Sequence, residues 1–311
     1  MAHMSSTTQM HENEQPIDAA LVRRLLAAQF PEWASLPLAA VASAGTDNAL
    51  YRLGDDMVIR LPRIDWAISQ IEREYRWLPQ LAPHLPLAIP VPLAMGQPGE
   101  GYPWHWSVNP WLDGENATLD RIADPARLAR DLAEFITALH RIDTTGGPLA
   151  GSPNVSRGVP VAQRDTSTRT ALRDLETLNL IDIRPATEAW EIALAAPVWD
   201  RPPVWFHGDL HSGNLLALDG RLSAVIDFGC MGVGDPAVEL LPAWSLLSAD
   251  SREVFRDALQ VDDATWARGR GWALSFAAGA LSYYHKTNPF LVGISRYSIG
   301  QVLADYARKG D

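Results

Sequence analysis

The residues of this sequence that best suit chemistry are Asp209, Asn214 and Asp227. The first two stand five positions apart in a polar stretch, and the third follows an apolar run further along the chain. Two carboxylates and one amide oxygen in a small volume suit a hard cation such as Mg²⁺, and leave one carboxylate to orient a hydroxyl group. Their spacing matches H-x-D-L-x-x-x-N followed by D-F-G, a pattern typical of phosphoryl transfer.

Short apolar runs on either side must position these three residues. Val204 to Phe206 predicts a buried strand that leads into the polar loop. After the loop, Leu215 and Leu216 are followed by Asp219-Gly220 and by a second apolar run, Leu222 to Ile226. Asp-Gly between two apolar runs predicts a β-hairpin. The hairpin is expected to bring the third residue back beside the loop that carries the first two.

Two other interpretations of the same stretch stay open. His207, Asp209 and His211 alternate along the chain, which can place three zinc ligands on one face of a strand. Against zinc, no second cluster of histidines and cysteines follows to complete such a site. The stretch can also be a plain polar turn between two core strands, but that interpretation leaves Asp227 and its strand unexplained.

Composition and charge narrow the class of protein. Of the 311 residues 47% are hydrophobic, which predicts a large core, and the length predicts two domains or lobes. A net charge of −11 argues against a nucleic-acid partner and permits a cationic small substrate. Cys230 is the only cysteine, and neither a membrane-spanning run nor a secretory signal is visible. We therefore expect a cytoplasmic protein with no membrane partner.

The polar stretch and its hairpin resemble the aminoglycoside phosphotransferase family. That family carries H-G-D-L-H-x-G-N, then I-D-F-G, then G-D-P, and this chain has those letters at 207–214, 226–229 and 234–236. The resemblance implies an α+β, bilobal, protein-kinase-like fold. It also implies ATP-dependent transfer of the γ-phosphate to a hydroxyl group, with Mg²⁺ as cofactor and GTP as an alternative donor. An aminoglycoside antibiotic is the acceptor expected first.

The implied domains agree with the apolar patterning of the chain. We expect a loose tag over 1–15, an N-terminal lobe over 16–106 with a five-stranded antiparallel sheet and a helix, a hinge over 107–112, and a larger, mainly helical C-terminal lobe over 113–311 with the catalytic loop and the acceptor site. Apolar runs and turns predict strands over 38–43, 49–53, 57–61, 91–95 and 102–108, and helices over 16–30, 65–81, 125–141, 165–177, 185–196, 236–247, 251–259, 264–285 and 294–309.

The resemblance also implies which residues of the N-terminal lobe bind the nucleotide. The family's G-x-D-N-x-x-Y segment matches a predicted turn, so Gly45, Thr46 and Asn48 are expected to cover the phosphates. The predicted hinge is expected to meet the adenine edge through the backbone of Ser107 and Asn109.

A cation–carboxylate pair is expected to hold the phosphates. Arg60 stands where relatives usually carry a phosphate-gripping lysine, and its planar guanidinium changes the detailed geometry. The family pattern R-E-x-x-x-L makes Glu74 the expected partner of this arginine, while Glu72 remains the alternative.

In the C-terminal lobe, the family assigns Asp209 as the catalytic residue that orients the acceptor hydroxyl, and Asn214 and Asp227 as the ligands of Mg²⁺. Asp235 precedes Pro236 and can cap a helix or contact the acceptor, and Glu239 can meet an amine of the acceptor.

Other functions stay open at this point. The acceptor can be a macrolide, a choline-like alcohol or a sugar, and a nucleotide-binding pseudokinase without turnover is a further alternative. A protein substrate is not expected. Gly208 replaces the arginine with which protein kinases bind an activation-loop phosphate, and the chain from Asp227 to Pro236 is too short for an activation segment.

Overall fold

The computed structural model describes residues 14–41, 45 and 47–308. Within it the chain divides into two compact units. The first unit holds the residues up to Arg76 together with Val91–Trp111, and the second holds Trp77–Pro90 and the chain from Leu112 onward. Residues 77–90 thus group with the second unit, which differs from the predicted boundaries. Almost all of the predicted tag, 1–15, lies outside the described residues.

The first unit contains the predicted five-stranded antiparallel sheet. Its strand order is β1-β2-β3-β5-β4, from β1 (Leu38–Ala40), β2 (Asn48–Leu53), β3 (Met57–Pro62), β4 (Ala94–Gly96) and β5 (Trp106–Pro110). Helix α1 (Ala19–Gln29) is capped by Asp18, whose side chain accepts a hydrogen bond from the backbone N–H of Leu21. The apolar stripe of α1 joins the strand residues in one buried cluster, so the unit has its own core.

The two strands that follow the proline-rich segment differ from the prediction. Strand β4 begins at Ala94 rather than at residue 91, and β5 begins at Trp106 rather than at residue 102. Pro92 and Pro103 lack the N–H that a strand would use, which explains the later starts. Between the strands, Gly99 and Tyr102 bond to each other in a tight turn.

Helix α2 (Ile68–Leu81) follows a 3₁₀ turn, Asp65–Ala67, and ends where the sequence predicts. The division between the two units falls inside this helix, after Arg76. In the second unit, Trp77 packs edge-to-face on Trp205 with ring centroids 5.0 Å apart. The last turn of α2 is therefore anchored beside the strand that leads into the polar loop.

The second unit is mainly helical. Helix α8 packs against four other helices of the unit and presents buried residues on all its faces, as a central helix does. A Cβ on its Gly271 would lie 2.4 Å from the Cβ of Ala193, so only glycine permits this close approach of two helices. The helices are α3 (Pro125–His140), α4 (Asp165–Thr177), α5 (Ile183–Ala195), α6 (Pro242–Ser245), α7 (Ala249–Leu259), α8 (Asp263–Tyr284) and α9 (Pro289–Arg308).

Two small sheets accompany these helices. The first pairs β7 (Val204–Phe206) with β10 (Gly232–Gly234), and the second has the order β6-β8-β9, from β6 (Glu115–Asn116), β8 (Leu215–Leu218) and β9 (Arg221–Val225). Strands β8 and β9 form the predicted hairpin. None of the described helices combines the length and the apolar character that crossing a bilayer requires.

Candidate active site

The polar loop after β7 is tied to the hairpin by His207. The fully buried ring bonds the Ile226 carbonyl through Nε2 (3.0 Å) and accepts the backbone N–H of Asp209 at Nδ1 (3.2 Å). Burial lowers the pKa of this histidine, which favours the neutral ring that these two bonds need. Because both ring nitrogens are engaged, the histidine is not placed to bind zinc. Across the described residues, no group of three or more His, Cys, Asp or Glu side chains suits a metal ion.

Gly208 allows the loop to turn tightly. Its φ of +84° lies in the left-handed region, and a Cβ there would meet Arg157 Cβ, the Cys230 carbonyl oxygen and Phe206, each at 3.1 Å. Its backbone N–H donates to Glu239 Oε1 at 2.7 Å. A glycine is thus required for the conformation that presents the next residue, Asp209.

Three side chains contact the carboxylate of Asp209. Arg157 Nη2 donates to Oδ1 at 3.2 Å, Asn214 Nδ2 donates to Oδ2 at 3.1 Å, and His211 Nε2 lies 3.4 Å from the same oxygen. Burial by itself raises the pKa of Asp209, but the interactions with His211 and then with Arg157 outweigh it and hold the pKa well below its usual range. The side chain keeps 20% exposure, so an ionised carboxylate stays accessible.

The hairpin places the backbone of Asn214 beside Ile226, the residue before Asp227. Ile226 N–H donates to the Asn214 carbonyl at 2.9 Å, next to the paired residues Leu215 and Val225. Asp227 follows in the left-handed region (φ 62°, ψ 68°), a conformation that costs free energy in a residue with a side chain and is often found at functional sites.

The donor set at this point fits Mg²⁺. The amide nitrogen of Asn214 turns toward Asp209, donating to its carbonyl at 2.9 Å as well as to its carboxylate, so the amide oxygen points away from Asp209. One amide oxygen and the carboxylate of Asp227 are hard ligands of the kind that Mg²⁺ takes together with waters and phosphates.

Glu239 and Asp235 have structural contacts rather than exposed positions. Glu239 is fully buried, and burial raises its pKa to about 7 although the Gly208 N–H bond opposes this. Asp235 accepts from the Ala237 N–H at 3.0 Å and pairs with Arg268 through both carboxylate oxygens, at 2.8 and 3.1 Å. Since both carboxylates are buried, the structure does not present them to an acceptor, and the cap is the role that it gives Asp235.

In the first unit, Arg60 on β3 pairs with Glu74 on α2. Arg60 Nη1 donates to Glu74 Oε2 at 2.7 Å, and both residues are buried, at 7% and 0% exposure. Glu72 instead contacts His105 at 2.7 Å on the surface. The structure therefore selects Glu74 as the partner, and a buried pair of this kind holds the guanidinium in one geometry.

The other predicted nucleotide-binding residues belong to the segment before β2 and to strands β2 and β5. Gly45 is exposed, Thr46 lies outside the described residues, and Asn48 begins β2 opposite Pro62. Ser107 and Asn109 belong to β5, are buried, and face Arg60 and Val58 of β3 in the register. Strand β5 thus includes the first four residues of the predicted hinge, 107–112, and the division between the two units follows Trp111, inside that range.

Arg157 was not predicted as a site residue. It stands in a loop rich in glycine, proline and serine, and 52 positions separate it from Asp209, whose carboxylate it contacts. Its guanidinium also lies 5.3 Å from the ring centroid of Phe276. A lone arginine in such a loop carries no periodic or motif signal that would have revealed this contact.

Comparisons with solved structures place the fold among kinase-like phosphotransferases. Aminoglycoside 2'-phosphotransferase-IIIa with GDP has a TM-score of 0.69 at 18% identity, covering 94% of this chain and 100% of that one. The streptomycin–ATP complex of APH(2")-IIa gives 0.58 at 18% identity, covering 93% and 97%. Macrolide 2'-phosphotransferase MphH from Brachybacterium faecium gives 0.57 at 23% identity, covering 94% and 96%. Because the sequence identities are below 25%, the structural similarity establishes the fold alone.

The fold, the polar loop and its hairpin are those of a kinase-like phosphotransferase. A model of the phosphotransferase enzyme family (APH) matches residues 39–272, and the chain belongs to that family. The resemblance noted from the sequence is thereby confirmed. No curated protein sequence matches the chain significantly.

Proposed function

We propose that this phosphotransferase moves the γ-phosphate of ATP, with GTP as an alternative donor, to a hydroxyl group of a small molecule. The observation that carries the proposal is the ionised, accessible carboxylate of Asp209 beside the Asn214–Asp227 hairpin. Structural neighbours crystallised with GDP, ADP or ATP support a nucleotide as the donor.

Asp209 is the residue that orients the acceptor. Its carboxylate accepts a hydrogen bond from the hydroxyl group, so that the hydroxyl oxygen faces the γ-phosphorus. The new P–O bond forms on that oxygen while the bond to the β-phosphate oxygen breaks, ADP leaves, and the hydroxyl proton passes to solvent. Because the transition state of such transfers is loose, orientation matters more than early proton removal. A positioned base is worth roughly 10²–10⁴ in rate.

Asn214 and Asp227 are the residues that would hold Mg²⁺. When bound, the ion would neutralise the negative charge of the phosphates. The bond from Asn214 Nδ2 to Asp209 couples the two functions, because it orients the amide oxygen and the catalytic carboxylate together.

Arg60 and Glu74 form the phosphate grip of the first unit. A guanidinium presents a planar fork of donors, and phosphate oxygens match that fork in pairs. Glu74 fixes the orientation of Arg60 through their buried bond. Gly45, Thr46 and Asn48 remain the predicted cover over the phosphates.

A small molecule rather than a protein is the proposed acceptor. Gly208 occupies the position of the arginine that binds an activation-loop phosphate in protein kinases, and β10 pairs with β7 between Asp227 and Pro236. The described chain thus has no room for an activation segment between these two residues. Neighbours that bind kanamycin, gentamicin or streptomycin, and others named macrolide phosphotransferases, support acceptors of either class.

Transfer of radiolabel from [γ-³²P]ATP tests the function. Aminoglycosides, macrolides, sugars and choline-like alcohols are offered as acceptors, and we expect a labelled product that requires both an acceptor and Mg²⁺. Asp227→Asn removes one ligand charge and tolerates the left-handed backbone, so it should raise the Mg²⁺ concentration for half-maximal rate roughly tenfold or more. Tight ATP binding with no product from any hydroxyl compound would contradict the proposal and favour a pseudokinase.

A further inference from the structure

The loop that carries Arg157 brings a positive charge to the catalytic carboxylate. Arg157 Nη2 bonds Asp209 Oδ1 at 3.2 Å, and its guanidinium lies 5.3 Å from the Phe276 ring centroid. The ring of His211 lies 5.5 Å from the same centroid. A hydroxyl group bound by Asp209 therefore lies within reach of Arg157.

A second arginine stands near the first. Arg164 lies over the ring of Trp272, 5.8 Å from its centroid, and Trp272 and Phe276 are one turn apart on α8. Burial, and then the positive charge of Arg157, lower the pKa of Arg164 to about 10. Two guanidinium groups thus face one side of α8 and repel each other.

Both arginines keep a buried N–H group without a partner. Arg157 Nε and Arg164 Nε are shielded from solvent, and neither bonds any atom of the described structure. An unpaired buried donor is costly, and the cost is greater for a charged group. A bound anion would satisfy these donors and offset the repulsion between the two cations.

Two long segments that carry these arginines or the rings they lie over contain no acidic residue. Residues 144–164, which carry both arginines, have no Asp or Glu, and neither does the stretch 264–304, which includes most of α8 and α9. The chain as a whole has 37 acidic residues among 311, so a deficit over such lengths stands out. Polycationic acceptors are bound by carboxylates, and these segments offer none.

We propose that the acceptor carries a carboxylate or phosphate group near its reacting hydroxyl, and that Arg157 binds this anion with support from Arg164. The inference rests on the proposed phosphoryl transfer and names the acceptor class for it. It departs from the expected aminoglycoside, whose ammonium groups would meet two arginines beside Asp209. Arg157 then has two tasks: it pairs with the catalytic carboxylate and positions the anionic end of the acceptor.

Three compounds that differ mainly in charge test the inference. Glycerate, glycerol and 3-amino-1,2-propanediol are three-carbon alcohols with an anionic, a neutral and a cationic end, and glycerol 3-phosphate adds the phosphate case. Their binding is measured by calorimetry and by the shift in Tm, with and without saturating Mg·ADP, so that the nucleotide's own phosphate site is occupied in one series. Kanamycin is included as the polycation.

The expected result is that an anionic compound binds best and raises Tm, also in the presence of Mg·ADP. Arg157→Gln should weaken that binding about tenfold to 100-fold, which is the range for a lost charged hydrogen bond, and Arg164→Gln should weaken it less. Arg173→Gln is the matched control, because this arginine lies exposed on α4 and its side chain bonds only Thr170 in the described structure.

Two results would overturn the inference. One is tighter binding of the amine or of kanamycin than of the anionic compounds. The other is anion binding that does not exceed that of glycerol or that Arg157→Gln leaves unchanged. Failure of the proposed function looks different: ATP and ADP fail to bind, or no hydroxyl compound receives phosphate. Phosphorylation of a cationic acceptor would keep the proposed function and remove only this inference.

Discussion

Asp209 shows how neighbouring charges set the state of a single residue. Burial alone would favour its neutral form, but His211 and Arg157 contact its two oxygens and lower its pKa. The carboxyl therefore stays ionised across the neutral and mildly acidic range. Its position in the motif was predictable from the letters around it, whereas its arginine partner was not.

The buried carboxyl of Glu239 predicts that the stability of the folded protein depends on pH. Its pKa is raised to about 7 in the folded protein, against 4.5 for an ordinary glutamate, because it is buried. The folded state thus retains a proton that the unfolded state loses. The stabilisation is complete below pH 4.5 and is lost as the pH rises through 7. Glu239→Gln lacks this dependence, so its stability relative to wild type should rise by roughly 3 kcal/mol over that interval.

Urea unfolding at a series of pH values checks this expectation. The same substitution at Glu176, an exposed residue near the end of α4, is the matched control. If the stability curves of wild type and Glu239→Gln run parallel from pH 4.5 to 8, the carboxyl is not protonated in the folded protein and the assigned pKa is wrong.

At the scale of elements, the polar loop after β7 and the β8–β9 hairpin are held together by hydrogen bonds. His207 bonds Ile226, and Ile226 bonds the Asn214 carbonyl, so the loop and the far strand hold each other. The two apolar runs and the Asp-Gly turn between them predicted this hairpin correctly, because both signals are local in sequence. The support from Glu239 was not predictable, since it comes from a residue 31 positions away.

Asp235 joins the 3₁₀ helix Pro236–Leu240 to α8 through Arg268. Asp235→Ala removes the cap and leaves a buried guanidinium without its carboxylate. Breaking a buried ion pair from one side costs about 3–5 kcal/mol, so we expect a loss of this size in the free energy of unfolding. Chemical denaturation measures it.

Asp262→Ala provides the comparison for that prediction. Asp262 also caps a helix, accepting the Thr265 N–H at 2.6 Å, but its partner Arg201 is exposed. Asp262→Ala should lower the free energy of unfolding by only about 1 kcal/mol, the usual contribution of a helix cap with an exposed ion pair. Equal losses for the two variants would show that the Asp235–Arg268 pair adds nothing beyond the cap.

For the whole molecule, the resemblance to a known family implied the class of fold, and patterns that are local in sequence placed single elements. The periodicity of α3, α4 and α8 placed them within a residue or so of their observed ends. Differences from the expected boundaries arise where tertiary context decides: β5 includes residues 107–110, and residues 77–90 group with the second unit. Contacts such as Arg157–Asp209 depend on the folding of distant loops, so they appear only in three dimensions.

The distribution of charge also has meaning only for the whole chain. A net charge of −11 permits a cationic substrate, yet residues 144–164 and 264–304, which include both arginines and the rings they lie over, have no acidic residue. Total charge therefore describes solubility better than it describes the acceptor.

Asp209→Asn, assayed for both nucleotide binding and turnover, tests the central claim most directly. The substitution keeps the size of the side chain but removes the charge that orients the hydroxyl, so Mg·ATP affinity should stay unchanged while the transfer rate falls by roughly 10²–10⁴. Asp219→Asn, at the exposed turn of the same hairpin, is the control and should retain wild-type turnover. Wild-type turnover in Asp209→Asn would show that this carboxylate does not orient the acceptor and would contradict the proposed mechanism.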